Sequence, residues 1–318
     1  MKTRLTTSAK VAARLLREGG TVAFPTETVY GLGALAFDAK AVRRIFIAKG
    51  RPDDNPLIVH IADRSQVSDL AQKIPAYARQ LMDAFWPGPL TLVLPRSSRV
   101  PDVVTAGLDT VGVRLPSHPI AHEFLREVGA PVAAPSANRS GRPSPTSWQA
   151  VVQDLNGRVA AILKGSRSGV GLESTVVDCT GRAPVILRAG GVTLEQLREV
   201  VPQARSSSEE DRRRGRSPGL KHRHYAPRAE VVLTDTLPIP APAHSAWIGI
   251  GASPKGVSFR RSCKDLREYA HEVFHFFRAC EAKGIKKIYC QSIPLHGMGV
   301  ALMDRLRRAA AGTAKLRG

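Results

Sequence analysis

The chain has 318 residues, with 47 Lys and Arg against 27 Asp and Glu, a formal net charge of +20, and 43% hydrophobic residues. At about 150 residues per domain this is two domains, each long enough to bury a core; disorder throughout is excluded, and the charge either attracts a polyanion, without choosing among nucleotide, nucleic acid and acidic membrane, or only keeps the chain in solution. Four widely spaced cysteines, Cys179, Cys263, Cys280 and Cys290, form no CxxC pair and read as reduced, buried thiols; with no 18-residue apolar run and no leading apolar segment, the expected compartment is the cytoplasm.

In chain order, Ser8 is an N-cap for a predicted helix with Val11, Leu15 and Leu16 on its apolar face, stopped by Gly19 and Gly20, and residues 21–24 follow as a strand. A second helix starts after Asp38, places Val42, Ile45 and Phe46 on one face and ends at Gly50. Short buried strands are predicted at 57–61, 90–94, 111–115, 174–178 and 184–187, with helices between several of them, giving an α/β domain over residues 1–204. Residues 205–228 are polar, basic and rich in Ser, Gly and Pro, with almost nothing to bury, and read as a linker. Beyond it, strands at 230–233, 246–250 and 287–290 and an amphipathic helix marked by Leu266, Ala270, Val273, Phe274 and Phe277 make a smaller α/β domain over 229–318.

The common nucleotide and hydrolase fingerprints are absent: there is no GxxxxGK[ST], no HExxH and no GxSxG, and neither Gly31-Leu32-Gly33 nor Gly249-Ile250-Gly251 extends to GxGxxG. What remains are polar residues at predicted strand and helix ends, where ligands sit in open α/β sheets. FPTETVYGLG (24–33) runs from a strand into a hydroxyl-rich turn, which serves a ligand or only its own backbone. Lys49 and Arg51 put two cations on a proline-stiffened loop, suited to a polyphosphate or merely to the helix dipole. His60 stands near the end of the next strand, a ligand or only a satisfied edge-of-strand imidazole; small residues at 134–145 permit close ligand approach beside Ser136 and Asn138; Ser174 and Arg188 fall near the ends of adjacent strands.

Together these segments resemble the threonylcarbamoyl-AMP synthase family, a YrdC-like domain in its longer, two-domain form. The resemblance rests on FPTETVYGLG, on Lys49 and Arg51 in a KxR signature, on Ser136 and Asn138 in an SxN signature, on ESTVVD (173–178), on Arg188 and on SPGLKHRHYAP (217–227). GVALMDRLRRAA (299–310) is similar to the end of the family's second domain, whereas SSSEEDRRRGR (206–216) departs from the family pattern.

That resemblance implies a twisted open YrdC-like sheet with flanking helices, a smaller Rossmann-like α/β domain, and the 205–228 linker acting as a strap over the active site. It implies a nucleotidyltransferase that joins L-threonine, bicarbonate and ATP into threonylcarbamoyl-adenylate and pyrophosphate, for the N6-threonylcarbamoyladenosine modification of tRNA. Mg²⁺ would arrive with ATP, with no protein-held metal and no tightly bound organic cofactor. Lys49 and Arg51 would be catalytic; threonine would be held by Thr28, His60, Arg114, Ser174 and the backbone of Ala134. ATP would be held by Lys49, Arg51, Asn55, Thr110, Ser136, Asn138, Ser144, Arg188 and Tyr225. Expected partners are the downstream threonylcarbamoyl-transferase machinery and, weakly, tRNA or double-stranded RNA, with no membrane. A pure RNA-binding module would not need the threonine pocket that Lys49, Arg51, Ser136 and Asn138 imply, and 5% aromatic content argues against single-strand stacking. A hydrogenase-maturation carbamoyl transferase would carry acylphosphatase and zinc-finger modules that are not visible.

Overall fold

The computed structural model describes residues 2–209, 211, 225–236, 242–252 and 256–314. An eleven-stranded mixed sheet is built from β1 (Arg4–Thr6), β2 (Val22–Phe24), β3 (Gly31–Leu35), β4 (Ile58–His60), β5 (Leu90–Pro95), β6 (Thr110–Arg114), β7 (Val132–Ala134), β8 (Ala161–Leu163), β9 (Thr175–Asp178), β10 (Val185–Arg188) and β11 (Arg205–Ser206). Their order across the sheet is β1-β8-β2-β3-β7-β4-β6-β5-β9-β10-β11. Residues 205 and 206, assigned from composition to the linker, instead extend the sheet edge by pairing with β10.

Its helices are α1 (Ala9–Arg17), α2 (Ala39–Lys49), α3 (Val67–Leu70), α4 (Ala76–Phe85), α5 (Asp102–Thr105), α6 (Pro119–Val128), α7 (Trp148–Leu155) and α8 (Leu194–Val200). Local chemistry sets the ends. Ser8 Oγ accepts from Val11 N–H at 3.3 Å, and Asp38 caps α2 by accepting from Lys40 and Ala41 N–H at 2.9 and 3.0 Å, while Gly50 closes that helix in the left-handed region. The buried stripe of α1 is Ala9, Ala12, Ala13 and Leu16, not the expected Val11 and Leu15 face. Small side chains let α1 lie close against Phe124, Leu125 and Val128 of α6. Alternation divides the sheet between two cores: Val22 and Phe24 face α1 and α6, whereas Ala23 joins the larger cluster with α2 and α4.

The smaller domain is an all-parallel four-stranded sheet, β12 (Glu230–Thr234), β13 (Ser245–Ile250), β14 (Phe259–Cys263) and β15 (Lys287–Gln291), in the order β12-β15-β13-β14. The predicted amphipathic helix is α9 (Leu266–Ala282), and α10 (Met298–Ala314) follows β15. All four cysteines are free and buried. The two domains meet along a charged seam: Asp154 accepts from Arg278 Nη2 at 2.8 Å and from Arg142, whose other Nη reaches Glu281 at 2.6 Å. Among the described residues no helix is long and apolar enough to cross a membrane.

Candidate active site

Over the β7-β4-β6 part of the large sheet lies a cleft with about 620 Å³ of empty space, its mouth included, a size suited to small-molecule ligands. Strand register builds its floor. β4 and β6 run parallel with His60 opposite Arg114, so both side chains leave the same face at the carboxyl ends of their strands. Thr110 and Gly112 share that face by alternation, and Gly112 keeps the space beside Ile58 open.

One end of the cleft is made for a small polar ligand. Arg114 Nη1 donates to Thr28 Oγ1 at 2.8 Å and Nη2 to Glu27 Oε1 at 2.7 Å, a nearly buried ion pair. Thr26 Oγ1 instead serves its own turn, donating to Val29 O at 2.6 Å. Burial, reinforced by the Arg114 charge, pushes His60 down to about 3, so its ring is neutral at pH 7. His60 Nδ1 and Glu27 Oε2 are buried without hydrogen-bond partners. Ser174 Oγ lies 2.8 Å from Thr91 Oγ1 and 3.3 Å from Arg188 Nη2, whose stronger bond, 2.9 Å, goes to Ser174 O.

The other end is cationic. A β-bulge between Ile186 and Arg188 places Arg188 opposite Val176, turning it onto the face that strict alternation would deny it. Arg51 donates from Nη2 to the carbonyls of Asn55 and Pro56 at 3.2 and 3.1 Å, and its Nε is buried without a partner. Burial pushes Arg51 down to about 10, Tyr225 opposing and Arg188 adding to the effect; Arg188 is lowered chiefly by burial as well. Neither guanidinium has a carboxylate ion-pair partner among the described residues, an arrangement that favours an incoming polyanion.

Of the residues singled out from sequence, Thr28, Arg51, His60, Arg114, Ala134, Ser136, Ser174, Arg188 and Tyr225 line this cleft; Lys49, Asn55, Thr110, Asn138 and Ser144 do not. Lys49 is the last residue of α2, not a loop residue, and its buried ammonium donates to the carbonyls of Ser136 and Asn138. Burial, with the Arg51 charge, pushes it well below the ordinary lysine range. Lys49 and Asn138 therefore shape the 135–147 loop: Asn138 Nδ2 donates to Arg139 and Arg142 carbonyls at 2.8 and 2.9 Å and its Oδ1 accepts from Ser136 Oγ at 2.5 Å. Asn55 flanks Arg51, and extending the β4–β6 register puts Thr110 level with Pro56, so both sit just past the cationic end. Ser144 Oγ donates to Glu173 Oε1 at 2.6 Å.

Tyr225 is held at φ +67°, stacked on Phe274 at 5.4 Å and roofed by the Arg305 guanidinium 5.6 Å from its ring centre. The strap expected to carry it lies mostly at 212–224, outside the described residues. Glu27, Glu173 and Arg305 were not foreseen as site residues. The two glutamates stand inside FPTETVYGLG and ESTVVD, and Arg305 stands inside GVALMDRLRRAA, where nothing sets it apart from Arg307 and Arg308.

Relatives of known kind share this architecture. The Sua5/YciO/YrdC family model, described as telomere recombination, matches residues 14–190, and the model of the threonylcarbamoyl-AMP synthase C-terminal domain matches 192–311. The chain is 44% identical to a threonylcarbamoyl-AMP synthase of Pyrococcus abyssi over 95% of its length and 93% of the relative's. It is 43% identical to that of Bacillus subtilis, over 95% and 92%. The crystal structure of P. abyssi Sua5 complexed with L-threonine superposes with a TM-score of 0.87 at 40% identity, covering 96% of this chain and 94% of that one. A mixed sheet bearing this cleft, joined to a small parallel-sheet domain and matched by both family models over nearly the whole chain, makes this protein a member of the Sua5/YciO/YrdC family in its two-domain, threonylcarbamoyl-AMP synthase form.

Proposed function

We propose that the cleft makes threonylcarbamoyl-AMP and pyrophosphate from L-threonine, bicarbonate and ATP, as a nucleotidyltransferase. The observation that carries this reading is the division of one cleft into two chemistries. Arg114, Thr28 and neutral His60 offer a guanidinium for a carboxylate and polar groups for a hydroxyl, while Arg51 and Arg188 offer cations for phosphate. Threonine bound by its carboxylate at Arg114 presents its amine toward the cationic end. The amine, having lost a proton, bonds the bicarbonate carbon and water leaves; an oxygen of the resulting carbamate bonds the α-phosphorus as the bond to pyrophosphate breaks.

Two anions must be brought together, and Arg51 and Arg188 neutralise them, so positioning and fixed charge supply the catalysis without a side-chain nucleophile. Mg²⁺ enters as the nucleotide's own counter-ion, part of the substrate; both oxygens of Glu173, the carboxylate lining the cleft, are already hydrogen-bonded. Lys49 and Asn138 fix the loop that presents Ser136, and Tyr225 closes the nucleotide side. The product serves tRNA modification in the cytoplasm, where ATP and threonine are supplied, and any contact of the basic surface with RNA is weak and salt-sensitive.

The test is pyrophosphate release by the purified protein with ATP, Mg²⁺, bicarbonate and single amino acids. Release should require threonine and bicarbonate together, and valine should be a poor substitute because a site built to bond a hydroxyl leaves polar groups unpaired without it. Equal rates with valine or without bicarbonate would overturn the reading.

A further inference from the structure

We propose that Arg305, on α10 of the small domain, is a positioning residue for the nucleotide end of the cleft. Its side chain is fully buried in the domain interface, an expensive place for a guanidinium unless its partners are exact in geometry. Nε donates to Glu173 Oε2 at 2.9 Å, Nη1 to Asp304 at 2.9 Å, and the planar group lies over the Tyr225 ring. Glu173 and Tyr225 both line the cleft, and the other oxygen of Glu173 accepts from Ser144 Oγ. One guanidinium thus orients groups from three separated stretches of chain: the 135–147 loop, the residue before Ser174, and the residue entering the small domain.

The other ion pairs across the interface do not do this. Among the described residues, Arg278–Asp154, Arg142–Glu281 and Arg167–Glu272 tie the domains together through side chains that do not line the cleft. Arg305 also joins the domains, but unlike those pairs it reaches the cleft, through Glu173 and Tyr225, whereas the Arg114, Thr28 and His60 end has no hydrogen bond or ion pair with it. The consequence is a split between the two substrates. Loss of Arg305 uncovers one face of Tyr225, which keeps its Phe274 stack, and leaves Glu173 without its charge partner, loosening the nucleotide end while the threonine end keeps its own bonds.

This inference rests on the nucleotide assignment above, and the experiment keeps the two apart. Steady-state pyrophosphate release is measured for wild type, Arg305→Lys, Arg305→Met and the double variant Glu173→Gln with Arg305→Met, varying ATP and threonine separately. Failure of wild type to saturate with ATP refutes the nucleotide assignment itself. With wild type saturable, Arg305→Met should raise KM for ATP by about tenfold or more and shift KM for threonine by less than about threefold, with Arg305→Lys recovering only part because it lacks the planar face. The double variant removes the uncompensated carboxylate, so it folds even where the single variant does not, and should still bind ATP poorly because Tyr225 lacks its roof. Wild-type KM for ATP in the double variant, or an equal rise in both KM values, would overturn the proposal.

Discussion

Lowering the pH from 7 to 5 should cost this fold about 2 kcal/mol through His60 alone. The imidazole is held at about 3 against an ordinary 6.5, first by burial and then by the Arg114 guanidinium standing opposite it in the β4–β6 register. Between those values the unfolded chain binds a proton that the folded chain refuses. Stability is therefore complete above about pH 6.5 and falls as pH drops, approaching ~1.4 kcal/mol per unit, and accumulates to about 2 kcal/mol at pH 5. The perturbation is His60→Gln, which removes the titration and keeps a polar side chain. Urea unfolding at pH 7 and pH 5, followed by tryptophan fluorescence, measures it, since Trp86 and Trp148 lie in the domain that holds His60 and only Trp247 lies in the other. Wild type should lose about 2 kcal/mol more than the variant over that interval. The same pH dependence in both proteins would refute the burial argument and, with it, the neutral imidazole on which hydroxyl recognition depends.

Three further outcomes are expected. Arg51→Ala should lower kcat/KM for ATP by at least about tenfold in the pyrophosphate assay, and Arg51→Lys should recover only part, because the planar guanidinium, whose Nη2 bonds both the Asn55 and Pro56 carbonyls, is lost; wild-type kinetics for the alanine variant would remove Arg51 from the site. Gly190→Ala would set a methyl group 2.3 Å from Glu173 O and 2.4 Å from Ser174 C, so the 173–174 peptide must shift and kcat/KM for threonine and ATP should both fall, measured in the same assay. Asp154→Ala leaves buried Arg278 without its carboxylate, and thermal or urea unfolding should show a loss of about 3–5 kcal/mol; a change under about 1 kcal/mol would mean the seam is not held by that ion pair.

How much of this was legible in the sequence depended on whether the cause was local. Caps at Ser8 and Asp38 and the stop at Gly50 act within a few residues, and all three hold in the structure. β3 escaped notice because its glycines look like turn signals, yet Gly33 is small for a tertiary reason: a Cβ there would meet Val132 at 2.6 Å and Phe24 at 3.1 Å. β1 is three residues long and largely exposed, and β14 carries two arginines, so neither has the apolar signature of a strand. The site divides in the same way. His60 follows from a strand end and Arg114 comes only with the family resemblance, whereas Arg188 reaches the cleft only through a bulge, and Lys49 leaves it because its helix ends against the Ser136 loop. Glu173 and Arg305 are 132 positions apart and define each other, a pairing that no local pattern carries.

The distribution of charge shows why a cleft so rich in arginine is stable before ligand arrives. Arg114 is balanced by Glu27 and Arg305 by Glu173, so neither guanidinium stands as bare charge before ligand arrives. Arg51 and Arg188 spend their hydrogen bonds on carbonyl oxygens, which satisfy donors without cancelling charge. Their lowered pKa values express the cost of that burial, and a nucleotide polyphosphate would relieve it. On the proposed reading the two without carboxylates would attract phosphate, while Arg114, already balanced, would take the smaller charge of an amino-acid carboxylate. The basic excess of the whole chain and the local excess at Arg51 and Arg188 are thus different devices: the first acts through salt-screened surface potential, the second through desolvated contact.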